Sequence, residues 1–569
     1  MLTLLLLTVA ACLAFCGWGR VLHDFLGRFG YRGMAPSASD CALLGMFLVT
    51  SLALAWNFFV ALTGASGVAV IGAGVALFAL QGRGAPRSRV FALATLIGAA
   101  YFSFRIVRYL PSYDAGLYHV PFLKWMAQYP APIGLANLEE RLGFDSAWLV
   151  LHGAMRLPFM GWSTLSMVEC TAWVLGACVV VEGAAGRWKG YPPLHRALAY
   201  AVGLLFLLYA VRWGARFVSS TDSAPNIFAT LAALYFVECG AHLRMRKGPD
   251  ATRALLLLAV CCCLAIAGKL SMLPIAVLAL GAVALTANGA GARRDALIVT
   301  AAGSLFLALW ILRNVLLSGC LAYPVAISCV DGLSWGVGSG RAAASTAIIS
   351  EYAHRYLSSG EISNLEPDAW VPMWAHEILT NKAGIYVVAL LLVGTWFAVR
   401  ASWRSKSTWA AGAEMLRSRE HLLLALTAIL GLSLWATTVP HLRFSWSFLL
   451  LAVVPVYAYL FASADIERIV DGGERLLRRK PVAWTLVGTL AVLVVVRTVQ
   501  YPGTAEVLAV PKTEYRSVNS GPAAHLVHVP LKGDQCWDVP LPCTPSLHPG
   551  LHIDSYAGRP RFRILAGPN

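Results

Sequence analysis

S-Y-D-A-G-L-Y-H-V-P-F-L-K-W-M-A-Q-Y-P-A-P-I-G-L-A-N-L-E-E-R-L-G-F-D-S-A-W, Ser112 to Trp148, lies between apolar segments of membrane-spanning length. It gathers Asp114, His119, Glu139, Glu140, Arg141 and Asp145 into one loop of a chain in which only 13% of residues are charged. A connection between two spanning helices needs only a few residues, so a loop this long and polar is expected to carry function. The loop reads as the chemical centre of a membrane protein whose other helices hold it at the bilayer surface.

Composition supports that frame. The chain has 569 residues, 58% of them hydrophobic, and a mean hydropathy of +0.65. A soluble protein of this size carries roughly twice the charged fraction. Apolar runs predict fourteen spans at about 2–19, 41–63, 66–82, 90–110, 162–184, 198–214, 226–240, 254–268, 271–287, 295–316, 384–399, 421–438, 445–463 and 482–499. The run 254–287 is divided at Lys269, because a lone ammonium at the bilayer centre is expensive. Met1 to Trp18 has no basic stretch before it and no clear small-residue cleavage site after it, so it reads as a retained first helix.

The formal net charge of +16 does not signal nucleic acid. The basic residues fall in short clusters between apolar runs, at Arg83/Arg87/Arg89, Arg187/Lys189/Arg196, Arg244/Arg246/Lys247/Arg253, Arg293/Arg294, Arg404/Lys406/Arg417/Arg419 and Arg468 to Lys480. With fourteen spans and both termini outside the cytoplasm, all of them share the cytoplasmic face. The other face then receives loops 111–161, 215–225, 317–383 and 439–444, together with Lys269 and the tail 500–569. No Gly-rich phosphate loop follows a strand on the basic side, so no nucleotide site is expected there. The predicted fold is an all-α polytopic membrane protein. A transmembrane domain, 1–499, bears the outer loops 111–161 and 317–383, and a small extracytoplasmic segment, 500–569, follows it.

Within the outer loop, Asp114 stands just beyond the end of a span and before a helix that Pro121 can open. A carboxylate there can take a proton from an acceptor hydroxyl; the competing reading is a helix cap. Asp222, in S-S-T-D-S-A-P-N, is a second carboxylate at an outer boundary, placed to face Asp114, and again helix capping is the plain alternative. Tyr118 and His119 follow Asp114. With no second His at metal spacing, His119 reads as a hydrogen-bonding partner for substrate. Glu139, Glu140 and Arg141 read as a solvated helix face, or alternatively as contacts to an acceptor or a divalent metal. Seven basic residues break the positive-inside pattern: Arg105, Arg108, Arg212, Arg216, Lys269, Arg313 and Arg443. Singly each could snorkel to headgroups; together they suit a lipid phosphate or diphosphate.

Of the 13 cysteines, Cys261, Cys262 and Cys263 read as packing residues, and no C-x-x-C pair supports a zinc or redox site. Cys536 and Cys543, in the Pro-braced G-D-Q-C-W-D-V-P-L-P-C-T-P, read as a disulfide. Cys320 and Cys329 are spaced so that they could form a second.

An acidic first large outer loop, many spans and the later R-N-x-x-x-S-G-x-x-x-Y-P segment, Arg313 to Pro324, resemble the GT-C class of integral membrane glycosyltransferases. That class includes protein O-mannosyltransferases and the bacterial aminoarabinose and arabinofuranose transferases. D-x-G-L-Y-H, G-L-x-N-L-x-x-R-L-G-F-x-S, P-x-x-R-F and C-W-D-x-P-L-P-C-T-P further resemble a family of uncharacterised bacterial polytopic membrane proteins. The GT-C resemblance implies sugar transfer from a polyprenyl-phosphate donor to a glycan, lipid or protein acceptor outside the cytoplasm of a bacterial inner membrane. It implies an outer-loop base, matched by Asp114, and basic residues on the phosphate. With these, the residues read above give Asp222 as a second catalytic candidate and Tyr118, His119, Glu139, Glu140, Arg141, Arg216, Lys269, Arg313, Asn314, Tyr323 and Arg443 as expected substrate contacts. No cofactor is firmly implied, and a divalent metal stays possible, although no Asp-Asp or Glu-Asp pair occurs at the motif. The chain departs from the class in placing its acidic loop after the fourth expected span rather than the first. An oligosaccharide polymerase or ligase, or a lipid-linked saccharide transporter, is the alternative function. A transporter would more often show internal repeats and ionisable residues at mid-depth.

Overall fold

A computed structural model describes residues 2–81, 88–106, 112–214, 221–287, 290–356, 370–380, 382–404, 418–463, 510–520 and 525–565. Helices coincide with thirteen of the fourteen expected spans; the last, 482–499, lies outside the described residues. Among the described residues, nine helices are long and apolar enough to cross a membrane. They include α1 (Leu2–Arg28), α2 (Ala38–Asn57), α4 (Arg89–Ile106), α7 (Thr164–Ala185), α8 (Pro193–Trp213), α9 (Ser223–Arg244), α10 (Gly248–Gly268) and α12 (Ala290–Ser318). Shorter apolar helices occur at α3 (Gly64–Leu80), at α11 (Ala276–Thr286) and in the segments Gly384–Trp396 and Trp446–Tyr459.

Why the helices pack as they do is visible at two places. The α1–α2 crossing is lined by small residues: a Cβ on Gly19 would overlap the Cys41 carbonyl, and one on Gly45 would overlap that of Phe15. Such contacts bring backbones together in lipid, where apolar side chains alone give no preference for protein over tails. The second place is α9, buried almost continuously from Ala224 to His242 and packed against α7, α8 and α10. It is the central post of the bundle. The division expected at Lys269 is also present. α10 stops at Gly268, Lys269 is extended (φ −157°, ψ 123°), and a 3₁₀ turn over Leu270–Ile275 leads into α11.

At the end of the bundle where α2 and α10 begin, a buried ionic set ties helices together. Asp40 accepts from Arg187 and Arg253 at 2.9 Å each and from Tyr235 at 2.7 Å. Glu238 lies 3.6 and 3.7 Å from the same two guanidinium groups. Each charge has an opposite neighbour, which is what permits burial at all.

The expectation of an all-α chain is corrected at the tail. Residues 515–564 hold two antiparallel hairpins, β1 (Tyr515–Ser520) with β2 (His525–Pro530), and β3 (Leu551–Tyr556) with β4 (Arg559–Ile564). Both residues of the β3–β4 turn, Ala557 and Gly558, have positive φ, as a two-residue hairpin turn of matching twist requires. Alternation in Val527-His528-Val529 is the short sequence sign of this strand pairing. The structure also joins Cys536 to Cys543 and Cys320 to Cys329 as disulfides.

The tail does not stand apart from the outer loop. Phe562 donates its N–H to the Ile133 carbonyl at 2.8 Å, and Ile133 donates to the Pro560 carbonyl at 3.0 Å. Arg559 reaches the Phe58 carbonyl at 2.6 Å, and the Phe562 ring meets Trp125 edge-on at 5.5 Å.

Candidate functional site

Four chain segments far apart in sequence converge at the opposite end of α9 and α10. Asp114 precedes a π-helical turn, Ala115–His119, which runs into α5 (Val120–Gln128). Asp222 precedes α9, Lys269 follows α10, and Arg443 lies in a 3₁₀ turn, Leu442–Phe444, between the helices Arg419–Thr438 and Trp446–Ser463. Arg443 bridges the two carboxylates, 3.5 Å from Asp114 and 3.6 Å from Asp222. The Lys269 ammonium pairs with Asp222 and lies 3.6 Å from the centre of the Phe444 ring.

Neither aspartate caps its helix. Both occupy the residue before a helix start, and neither side chain accepts a backbone N–H there. The capping alternative is therefore not the role the geometry gives them. Both carboxyls are turned to the cations instead, and the Asp114 side chain keeps 26% of its surface exposed.

The two carboxyls sit in unlike fields. Burial raises the pKa of Asp114 above the ordinary carboxylate range, although Arg443, Lys269 and Arg141 act to lower it. At Asp222 burial acts upward as well, yet Lys269 and Arg443 outweigh it and hold the pKa below that range. A pair whose environments drive their pKa values apart has the form of an acid–base division of labour. The cations hold Asp222 toward its charged form, and burial biases Asp114 the other way. Burial lowers the pKa of Lys269 against the pull of Asp222.

Tyr118 shares a 3.5 Å hydrogen bond with Thr221, next to Asp222, and its ring meets His119 edge-on at 4.3 Å. His119 itself is buried. Glu169, inside α7, accepts from Trp173 at 3.0 Å and from Ser223, the neighbour of Asp222. Sequence reasoning passed over Glu169, although a carboxylate within an apolar run is itself a signal.

Other expected substrate contacts are engaged elsewhere. The Arg313 guanidinium is fully buried, pairs with Asp145, reaches the Asn57 side chain at 3.3 Å and packs on Phe122. Asn314 donates to the Trp310 carbonyl at 3.0 Å within the same helix. In this structure Arg313 and Asn314 are engaged in the packing of α12. Tyr323 hydrogen-bonds Ser345 at 2.7 Å, and Ser345 donates to Glu140 at 2.6 Å. Glu139 holds Arg141 at 3.1 Å and accepts from Thr544 of the tail at 3.3 Å. Glu139 and Glu140 are thus joints between segments rather than a solvated face. Arg216 and Arg108 lie outside the described residues. Among the described residues no three His, Cys, Asp or Glu side chains group as a metal site.

Helices and site together describe a polytopic α-helical membrane protein with a charged cluster at one end of its bundle. Residues 1–450 match the family described as a domain of unknown function, DUF8201, and the chain belongs to that family. No curated protein and no solved structure matches it.

Proposed function

We propose that the protein is a GT-C-type integral membrane glycosyltransferase. Its site takes a sugar from a polyprenyl-phosphate donor and gives it to an acceptor hydroxyl on the extracytoplasmic face of a bacterial inner membrane. The observation that carries the reading is the Asp114–Arg443–Asp222–Lys269 cluster, with its oppositely biased carboxyls, at the end of apolar helices. In the transfer step the acceptor oxygen attacks the anomeric carbon of the donor as the bond from that carbon to the phosphate oxygen breaks. Asp114 removes the acceptor proton. The departing phosphate gains negative charge, which Arg443 and Lys269 are placed to meet, Arg443 with its forked donors. Asp222 keeps both cations oriented when no phosphate is present.

Polyprenyl phosphate itself is the probe for this arrangement. Arg443→Ala is expected to weaken its binding to the detergent-purified protein by about tenfold or more, since a hydrogen bond to a charged group contributes roughly 1.5–3 kcal/mol. Unchanged affinity would remove Arg443 from the phosphate site. Orientation has its own check. Lys532 and Lys247 are both exposed; a cysteine at 532 should be labelled by an impermeant thiol reagent on intact cells, and a cysteine at 247 only after permeabilisation. The reverse pattern would put the cluster on the cytoplasmic face and end the lipid-linked-donor reading.

A further inference from the structure

The seven-residue separation of Cys536 and Cys543 closes a small loop, and that loop, with the two residues before it, holds the segment carrying Asp114 at several points. Trp537 donates its N–H to the Gly116 carbonyl at 2.9 Å. Its indole, buried, lies so close over Gly116 that a Cβ there would overlap the ring. Gln535, the residue before Cys536, donates to the Tyr113 carbonyl at 2.7 Å, and the Tyr113 hydroxyl bonds Asp534. From the other side Lys124 enters the loop, reaching the Asp538 and Val539 carbonyls at 3.0 and 2.7 Å and the Asp538 carboxylate at 2.9 Å. Residues 116 and 124 are therefore gripped from within the disulfide-closed loop and residue 113 from the two residues just before it, and Asp114 lies between 113 and 116.

We infer that the Cys536–Cys543 loop is the positioning element of the Asp114 segment, with Trp537 as its key, so that the site takes its working form only in the oxidised chain. Trp537 itself holds a left-handed backbone (φ +44°), which residues other than glycine adopt at a cost. The covalent closure keeps it there. Oxidation removes two electrons and two protons from the Cys536 and Cys543 thiols. Both pass to the disulfide of a thiol-exchange oxidant, which leaves as a dithiol while the new S–S bond forms. The consequence for catalysis rests on the Asp114 reading; the positioning does not.

Hydrogen exchange by mass spectrometry on the full-length protein in detergent separates the two. In Trp537→Ala, and in the Cys536→Ser/Cys543→Ser pair, amides in the 112–124 region are expected to exchange about tenfold faster or more, while α9 peptides keep their protection. Trp537→Phe, which retains a ring over Gly116, should restore most of the protection. Gly116→Ala should loosen the segment in the natural background and add nothing in Trp537→Ala, because the ring it meets is gone. Where the serine pair fails to fold, reducing the purified natural protein gives the same comparison, with α9 as the internal control. Unchanged exchange at 112–124 in Trp537→Ala or on reduction would overturn the inference. Loosening there beside an Asp114→Asn protein of normal transfer rate would keep the positioning and discard the assignment of Asp114 as the base.

Discussion

Asp114→Asn is expected to lower the rate of sugar transfer by about 10²–10⁴ while leaving folding and polyprenyl-phosphate binding intact. The substitution keeps the size and hydrogen-bonding reach of the side chain and removes only its capacity to take a proton. No helix cap is lost, because the Asp114 carboxyl caps nothing. The pH profile supplies the second half of the test. Burial lifts the Asp114 pKa above the usual carboxylate range, and the ionised form is the base. Activity should therefore be present above that raised pKa and fall as pH drops through it. The residual activity of Asp114→Asn should lack this acid limb. A normal rate in the variant would move the role to Asp222, whose pKa is pushed down rather than up.

The second large effect concerns stability. Arg313→Ala leaves the buried Asp145 carboxyl without its cation, and such a loss costs about 3–5 kcal/mol. Burial already pushes the Asp145 pKa up to about 6 against the pull of Arg313, so the orphaned carboxyl will take up a proton rather than stay charged. The expected result is a strongly lowered thermal midpoint in detergent, with the surviving folded fraction binding polyprenyl phosphate normally. A double Arg313→Ala/Asp145→Ala variant should lose less than the sum of the single changes. A stable Arg313→Ala protein with weakened phosphate binding would return Arg313 to the donor site.

These two residues mark where the sequence could be read and where it could not. Asp114 is conspicuous because it breaks an apolar context at a span boundary, and Lys269 because no span tolerates it at its centre. Periodicity and hydropathy therefore located the helices and drew Asp114, Asp222, Lys269 and Arg443 to one set of loop ends. Arg313 looked like a member of the same set because it, too, is a cation near an outer boundary. Its partner lies 168 residues away, and nothing local announces that a guanidinium is already satisfied. The same holds for Glu139, whose tail partner Thr544 is 405 residues away, and for Asp40 between Arg187 and Arg253. Charge pairing across helices is a property of the packed bundle. In the tail, strand alternation was present but short, and it was subsumed under a helical reading of the whole.

The hold of the tail on the outer loop also sets a timetable. Asn137 donates to the Phe562 carbonyl, 425 residues further along the chain. At about 5–20 residues per second of synthesis, the loop leaves the ribosome roughly 20–85 seconds before its partner strand exists. Through that interval Ile133, Asn137 and the Gly116 carbonyl must be hydrated or chaperoned instead of bonded to β4 and Trp537. A nascent chain stopped between residues 464 and 535 has its described helices and its charged cluster but an unclasped loop. Until β4 is made, the backbone of Ile133 stays an open edge.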